Sequence, residues 1–220
     1  YFVGFNPMSR NAKTLSYQVL TMIESIKRVW GQDDFQQTPR LARWLYNICD
    51  ALIESDVTFV EGQHLLSPYE DKYLEVLTSN IKNPYVRADW DAYKREKHRW
   101  RDEKIESSLS RLRAFLSNER LLPILGRQTK TLNFAKILDE NAIVLINLVK
   151  KNVLSDEDQK LLGTLVVNEL VTAAFAREMK RVKPYHLYID EFGKFVTKDI
   201  CEILDRGRKH GLHLTLAHQD

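Results

Sequence analysis

The sequence predicts a mixed chain, an all-helical region followed by an α/β region whose strands run parallel. Three observations lead there. From Lys13 to about Asn118, apolar residues recur at helical spacing, and helix starts are marked by Thr38-Pro39 and Ser67-Pro68. From about Leu121 the pattern changes to short, β-branched apolar runs separated by longer helical ones. Strand, helix, strand, helix, strand in that order needs crossover connections, which are right-handed and give parallel neighbours.

The elements follow in chain order. "TLSYQVLTMIESIKRVW" places Leu15, Val19, Met22, Ile23, Ile26 and Trp30 on one helical face. "TPRLARWLYNICDALIES" reads as the next helix, with Thr38 as N-cap and Pro39 at its first position. A stretch from Val86 to Asn118, free of Gly and Pro and dense in charge, reads as one long helix. It is solvated in its first half and packed through Ile105, Leu109, Leu112, Phe115 and Leu116 in its second. "NAIVLINLV" (141–149) is a continuous apolar run expected to form a strand covered on both faces. "SDEDQKLLGTLVVNELVTAAFAREMKR" follows as a helix, with Ser155 as N-cap, acids in its first turn and bases in its last. "YHLYIDEF" is the second strand, "KDICEILDRGRKHG" a helix closed by Gly211, and "LHLTLAHQ" the third strand.

Composition narrows the function classes. With 220 residues, 44% of them hydrophobic, the chain can bury a core, which excludes disorder as the default. Lys and Arg number 33 against 30 Asp and Glu, so any contact with nucleic acid must come from local patches rather than net charge. Cys49 and Cys201 stand far apart without metal-ligand spacing, as expected of a reducing compartment and of buried apolar thiols. No apolar run approaches the ~20 residues that cross a bilayer, and no signal region opens the chain, so the segment is expected to be soluble and cytoplasmic. A start on strand-like "YFVGFNP" without Met and an end just past "HLTLAHQ" suggest a fragment.

The chemistry-bearing feature is "HLYIDEFGKF", a strand that delivers Asp190 and Glu191 at its tip. Parallel sheets bind ligands at the carboxyl ends of their strands, where Asp190, Glu191 and Gln219 all fall. An acid there can hold a hydrated Mg²⁺ against phosphate oxygens, and a second can orient or deprotonate a water. The same two acids also suit a helix cap or a solvated turn, so the motif alone leaves both readings open.

Together with "ICEILDRGRKHGLHLTLAHQ", the motif resembles the HerA/FtsK superfamily of DNA-pumping P-loop ATPases, and within it the TraD/TraG-type coupling proteins of conjugation and type IV secretion. The family's Walker B strand is followed by a helix ending in "ARKYG"-like residues and a strand ending in "AHQ" or "SQ"; this chain has "GRKHG" and "AHQ" at matching spacing. "LNFAKILDENAIVLINL" and "SDEDQKLLGTLVVNEL" resemble the segment ahead of Walker B, while "GFNPM" and "ESSLSRLRAFLSNERL" resemble the two edges of a helical insertion. The resemblance implies an α/β fold, part of a RecA-like P-loop NTPase parallel sheet with an all-α inserted domain. Residues 1–12 would be a strand segment of the nucleotide-binding domain, 13–118 the insertion, and 119–220 the C-terminal portion of the ATPase domain with Walker B.

The resemblance further implies ATP and Mg²⁺ as cofactors. Asp190 would bind the metal through water, Glu191 would be the catalytic base and Gln219 would touch the γ-phosphate or the attacking water. Arg208 would be the arginine finger, with Arg206 its rival and a solvated helix-end cation the alternative for either. The implied partners are DNA, further copies of the chain in a hexameric ring, and relaxase or secretion-channel proteins. The full-length parent would be anchored at the inner membrane by an upstream segment. A soluble HerA-type repair or packaging motor is the neighbouring alternative, distinguished by the lack of upstream membrane spans. A helical module that binds DNA or cargo on a vestigial nucleotide fold is the alternative from another class.

The phosphate loop is missing. "PMSRNAKT" would need Gly at Pro7 and at Ala12, and proline removes an N–H from the cradle, so Lys13-Thr14 is read as a decoy and the loop is expected upstream. The isolated segment is therefore expected to be inactive. His210, His213 and His218 lack acid or cysteine companions at ligand spacing. "WDAYKREKHRWRDEK" interleaves aromatics with bases, but its acids nearly balance them; Lys94, Arg95 and Arg99 are its candidates for contact with DNA or a partner, against a solvated helix face.

Overall fold

The structure is a computed structural model. It describes residues 3–10, 14–30, 39–65, 67, 71–97, 101, 105–106, 108, 110, 113, 116, 118–119, 121–148, 154–178, 182–195 and 206–218. The chain divides into two compact units, Tyr1–Arg10 with Thr14–Leu132, and Asn11–Lys13 with Asn133–Asp220.

The first unit is helical. Helices α1 (Leu15–Trp30) and α2 (Pro39–Glu54) pack together, with Val19, Met22, Ile23 and Ile26 buried on the face that the sequence pattern selects. Pro39 stands at the first position of α2; Thr38, its expected cap, and Pro68 lie outside the described residues. A short helix α3 (Gly62–Leu65) leads to α4 (Asp71–Ser79) and α5 (Pro84–Arg95). Asn83 caps α5 by accepting from the Tyr85 N–H at 3.0 Å, and Pro84 sits at its start. Trp44 of α2 meets Trp90 and Tyr93 of α5 edge-on or tilted, each at 5.2 Å between ring centroids, and Trp90 and Tyr93 are almost fully buried. The opening segment joins this unit: Gly4 bridges Thr131 in parallel, the Phe5 N–H donates to the Ile124 carbonyl at 2.8 Å, and Phe5 and Met8 are buried. Ile124 belongs to α6 (Leu122–Leu125).

One continuous helix from Val86 does not form. Helix α5 ends at Arg95, and Glu96 is extended (φ −74°, ψ 150°). The stop is chemical. Arg101 is buried and donates from Nε to the carbonyls of Tyr93 (3.1 Å) and Glu96 (3.0 Å), from Nη2 to that of Lys94, and from Nη1 to Asp71 at 2.7 Å. A guanidinium folded back onto the last turn satisfies carbonyls that a continuing helix would have satisfied itself. Ile105 and Leu116 are buried as expected; Leu109, Leu112 and Phe115 lie outside the described residues.

The second unit carries α7 (Phe134–Glu140), α8 (Asp156–Phe175) and a parallel pair, β1 (Tyr185–Ile189) and β2 (Leu212–Leu216), in register Tyr185 to Leu212 through Ile189 to Leu216. Ser155 and Asp158 form a reciprocal capping box, and Asp156, Glu157 and Asp158 fill the first turn of α8, as the dipole favours. The helix stops at Phe175, so the bases expected in its last turn come after it. Gly211 takes φ +70°, the left-handed conformation that glycine adopts without strain, and closes the turn into β2. The expected helix from Lys198 is described only from Arg206, with Gly207–His210 as a 3₁₀ turn.

Residues 142–148 correct the sequence reading. The run expected as a strand buried on both faces belongs to no ladder among the described residues, and Ile143 and Leu145 are each 93% exposed. Its ends are tied instead: Tyr185 Oη donates to the Ala142 carbonyl (3.0 Å) and Gln159 Nε2 to that of Leu148 (2.8 Å). A β-branched run signals a preference for apolar cover. Pairing also needs a partner edge in register, and that requirement is not written within the run itself.

Candidate functional site

The carboxyl ends of β1 and β2 meet in one tight turn. The Ala217 N–H donates to the Ile189 carbonyl at 3.0 Å, and the Phe192 N–H donates back to the Ala217 carbonyl at 3.1 Å, so the turn after β1 is stitched to the end of β2. Asp190 is exposed at the strand tip, and its Oδ1 accepts the Glu191 N–H at 2.9 Å. Glu191 has φ +50° and ψ 44°, a left-handed conformation that costs a non-glycine residue about 1–2 kcal/mol. The 3₁₀ turn Phe192–Lys194 follows, closed by Lys194 N–H to Glu191 O (3.0 Å) and Phe195 N–H to Phe192 O (2.9 Å).

Helix α8 explains how that strained turn is held. Phe195 is buried, and its ring lies so close to Gly163 that a Cβ there would stand 2.3 Å from Phe195 Cδ1. A mid-helix glycine, unfavourable for the helix itself, thus makes room for the ring that anchors the turn. On the other side the Phe192 ring meets His218 edge-on at 5.5 Å, and a Cβ at Gly193 would approach His218 Cε1 to 3.3 Å. A cavity of about 600 Å³ opens beside the turn, with Asp156, Gln159, Asp190, Glu191 and Lys194 on its polar side.

Asp190 and Glu191 stand together at the carboxyl end of β1, where the sequence pattern puts them, and both line this cavity. Gln219 and Arg99 lie outside the described residues. Arg208 is exposed in the 3₁₀ turn ahead of β2, and so stands at the amino ends of the strands, opposite Asp190. Five residues at ~3.3 Å each put roughly 16 Å of strand between the two ends. Arg206 is exposed at the same end. Lys94 and Arg95 close α5 within the first unit: Lys94 lies 3.9 Å from Asp91, and Arg95 Nε donates to the Asp91 carbonyl at 3.1 Å. The three histidines occupy separate surroundings, His210 against Phe175, His213 stacked on His186, and His218 against Phe192. Cys49 is buried, and burial pushes its thiol up to about 12; Cys201 lies outside the described residues.

Sequence reasoning missed Lys194. It follows Glu191 by three residues, the spacing a 3₁₀ turn brings together, and its Nζ pairs with Glu191 Oε2. This partner, reinforced by the charges of Asp156 and Asp190, holds the ammonium pKa above its ordinary value.

Chemically, an exposed carboxylate at a cavity suits Mg²⁺, a hard cation that keeps most of its waters and takes one or two carboxylates together with phosphate oxygens. Among the described residues no group of three or more His, Cys, Asp or Glu could hold a metal ion by itself. No helix of the described residues is long and apolar enough to cross a membrane. Comparison with protein-family models, curated proteins and solved structures finds no match to this chain.

Proposed function

We propose that this chain is part of an ATP-driven, DNA-translocating motor of the HerA/FtsK type, most similar to the coupling proteins of conjugation and type IV secretion. The observation that carries the reading is the pair Asp190 and Glu191 at the carboxyl end of a parallel strand, bordering a cavity of about 600 Å³. The finer fold, a RecA-like sheet with a helical insertion, belongs to the same proposal. The parallel pair and the capped helix before it support it.

Bound Mg²⁺-ATP would supply an electrophilic phosphorus whose developing charge the metal neutralises. Asp190, exposed at the strand tip, would hold the hydrated metal. Glu191, in the turn that follows and on the wall of the same cavity, would orient a water and take its proton. Gln219 contacts the terminal phosphate or the water. Arg208 stands too far from Asp190 of its own chain to serve that site, which supports a role across a ring interface on a neighbouring copy. The phosphate loop is supplied by the protein outside this chain. DNA is the cargo, relaxase and channel proteins are the partners, and Lys94, Arg95 and Arg99 remain candidate contacts. The compartment is the cytoplasm; for a coupling protein an anchor at the inner membrane would be carried by another segment, and for a soluble HerA-type motor none.

The test is ATP turnover by the complete protein with and without Glu191→Gln. Removing a general base is expected to lower turnover at least about 100-fold while the protein stays folded. A complete protein with no Mg²⁺-dependent turnover to abolish would favour the binding module on a vestigial nucleotide fold.

A further inference from the structure

Among the described residues, the turn after β1 holds one cation among acids. Lys194 pairs with Glu191, its charge also faces Asp156 and Asp190, and all four line the same cavity. Its backbone is fixed from both sides. The Lys194 N–H donates to the Glu191 carbonyl, the Phe195 N–H closes the turn, and the Phe195 ring sits against Gly163. The side chain is 43% exposed, so its four-carbon stem leaves the ammonium free to rotate about an anchored backbone.

Two physical facts give that arrangement a direction. An ammonium on a carboxylate oxygen occupies one of the lone-pair sites at which that carboxylate could take a proton from water. A phosphate oxygen entering the cavity offers the same ammonium a more highly charged partner, and lysine binds phosphate as a point charge without a fixed fork. We propose that Lys194 is a binding residue for the terminal phosphate of a nucleoside triphosphate, held on Glu191 until that phosphate arrives. Glu191 is then released when a substrate is present, and the cavity, otherwise lined by three carboxylates, gains a cation of its own to receive an anion.

This rests on the nucleotide-binding reading above, and the experiment separates the two. Binding of a non-hydrolysable fluorescent ATP analogue and of fluorescent ADP, each with Mg²⁺, is measured by titration on the complete protein and on its Lys194→Met and Lys194→Arg variants. Lys194→Met is expected to weaken the triphosphate about tenfold and the diphosphate by less than about twofold. Lys194→Arg, which keeps the charge, is expected to stay within about threefold for both. Triphosphate affinity unchanged in Lys194→Met, or equal weakening of both nucleotides, overturns the role of Lys194 and leaves the nucleotide reading standing. A wild-type protein that binds neither nucleotide overturns both.

Discussion

The helical unit and the sheet unit use charge in opposite ways. In the helical unit charges complete structure. Arg101 is buried and closes α5, Arg43 forks onto Asp89 beside Asn47, and Glu54, its side chain only 3% exposed, lies between Arg10 (3.0 Å) and Lys82 (3.3 Å). In the sheet unit Asp190 stands exposed at a strand tip, and Glu191 sits in a strained turn facing a cavity. The difference teaches which acids are available for chemistry. A carboxylate already consumed by a buried or forked partner has little freedom to bind anything else, whereas one at a strand end with an exposed lysine beside it does.

That contrast can be broken at Arg101 first. Arg101→Ala removes the guanidinium from the carbonyls of Tyr93, Lys94 and Glu96 and breaks the pair with Asp71. It is expected to lower stability by about 2–4 kcal/mol, read from the denaturant midpoint. Arg101→Lys, which can keep the Asp71 pair but lacks the fork, is expected to fall between the two.

Asp50 tests the same unit from its weakest point. Among the described residues both its oxygens are buried without a hydrogen-bond partner, and burial, with the nearby charge of Glu54 adding, pushes its carboxyl up to about 6 from 3.8. The folded chain therefore holds a proton there at pH values where the unfolded chain has lost it. Stability is expected to fall as pH rises from about 3.8 to about 6, and the cost persists above that window. Asp50→Asn is expected to regain on the order of 2 kcal/mol at pH 7 and to flatten the profile, checked by thermal unfolding at several pH values.

The smallest effect is expected where the sheet unit should be indifferent. Asp190→Asn keeps an oxygen to accept the Glu191 N–H and removes only an exposed charge, so stability should change by less than about 0.5 kcal/mol. Nucleotide turnover by the complete protein should nevertheless drop steeply. A stability loss comparable to that of Arg101→Ala would place Asp190 among the structural charges and erase the contrast.

Legibility in the sequence followed how local each signal was. The cap of α8 was readable because Ser155 and Asp158 lie within one turn and satisfy each other's backbone. The parallel course of β1 and β2 was readable because a long connection between two apolar runs leaves no room for a hairpin. The acid pair at the tip of β1 was legible as a pair, since a strand that ends in polar residues exposes them. The break at Glu96 was not, because its cause is a side chain from Arg101. Nor was the exposure of Ile143 and Leu145, which depends on what stands opposite them.

The sequence by itself determined the cap of α8, the buried face of α1, that β1 and β2 run side by side in one direction, and that two acids share one strand tip. The cap, the helix face and the acid pair follow from groups within a few residues of each other, and the parallel course from the length of the connection. Only the tertiary structure decided that Gly163 is a seat for Phe195, that Lys194 holds Glu191, and that Arg208 stands at the far end of the sheet from Asp190. The turn at the end of β1 is built by contacts from α8 and β2, which chain spacing does not specify.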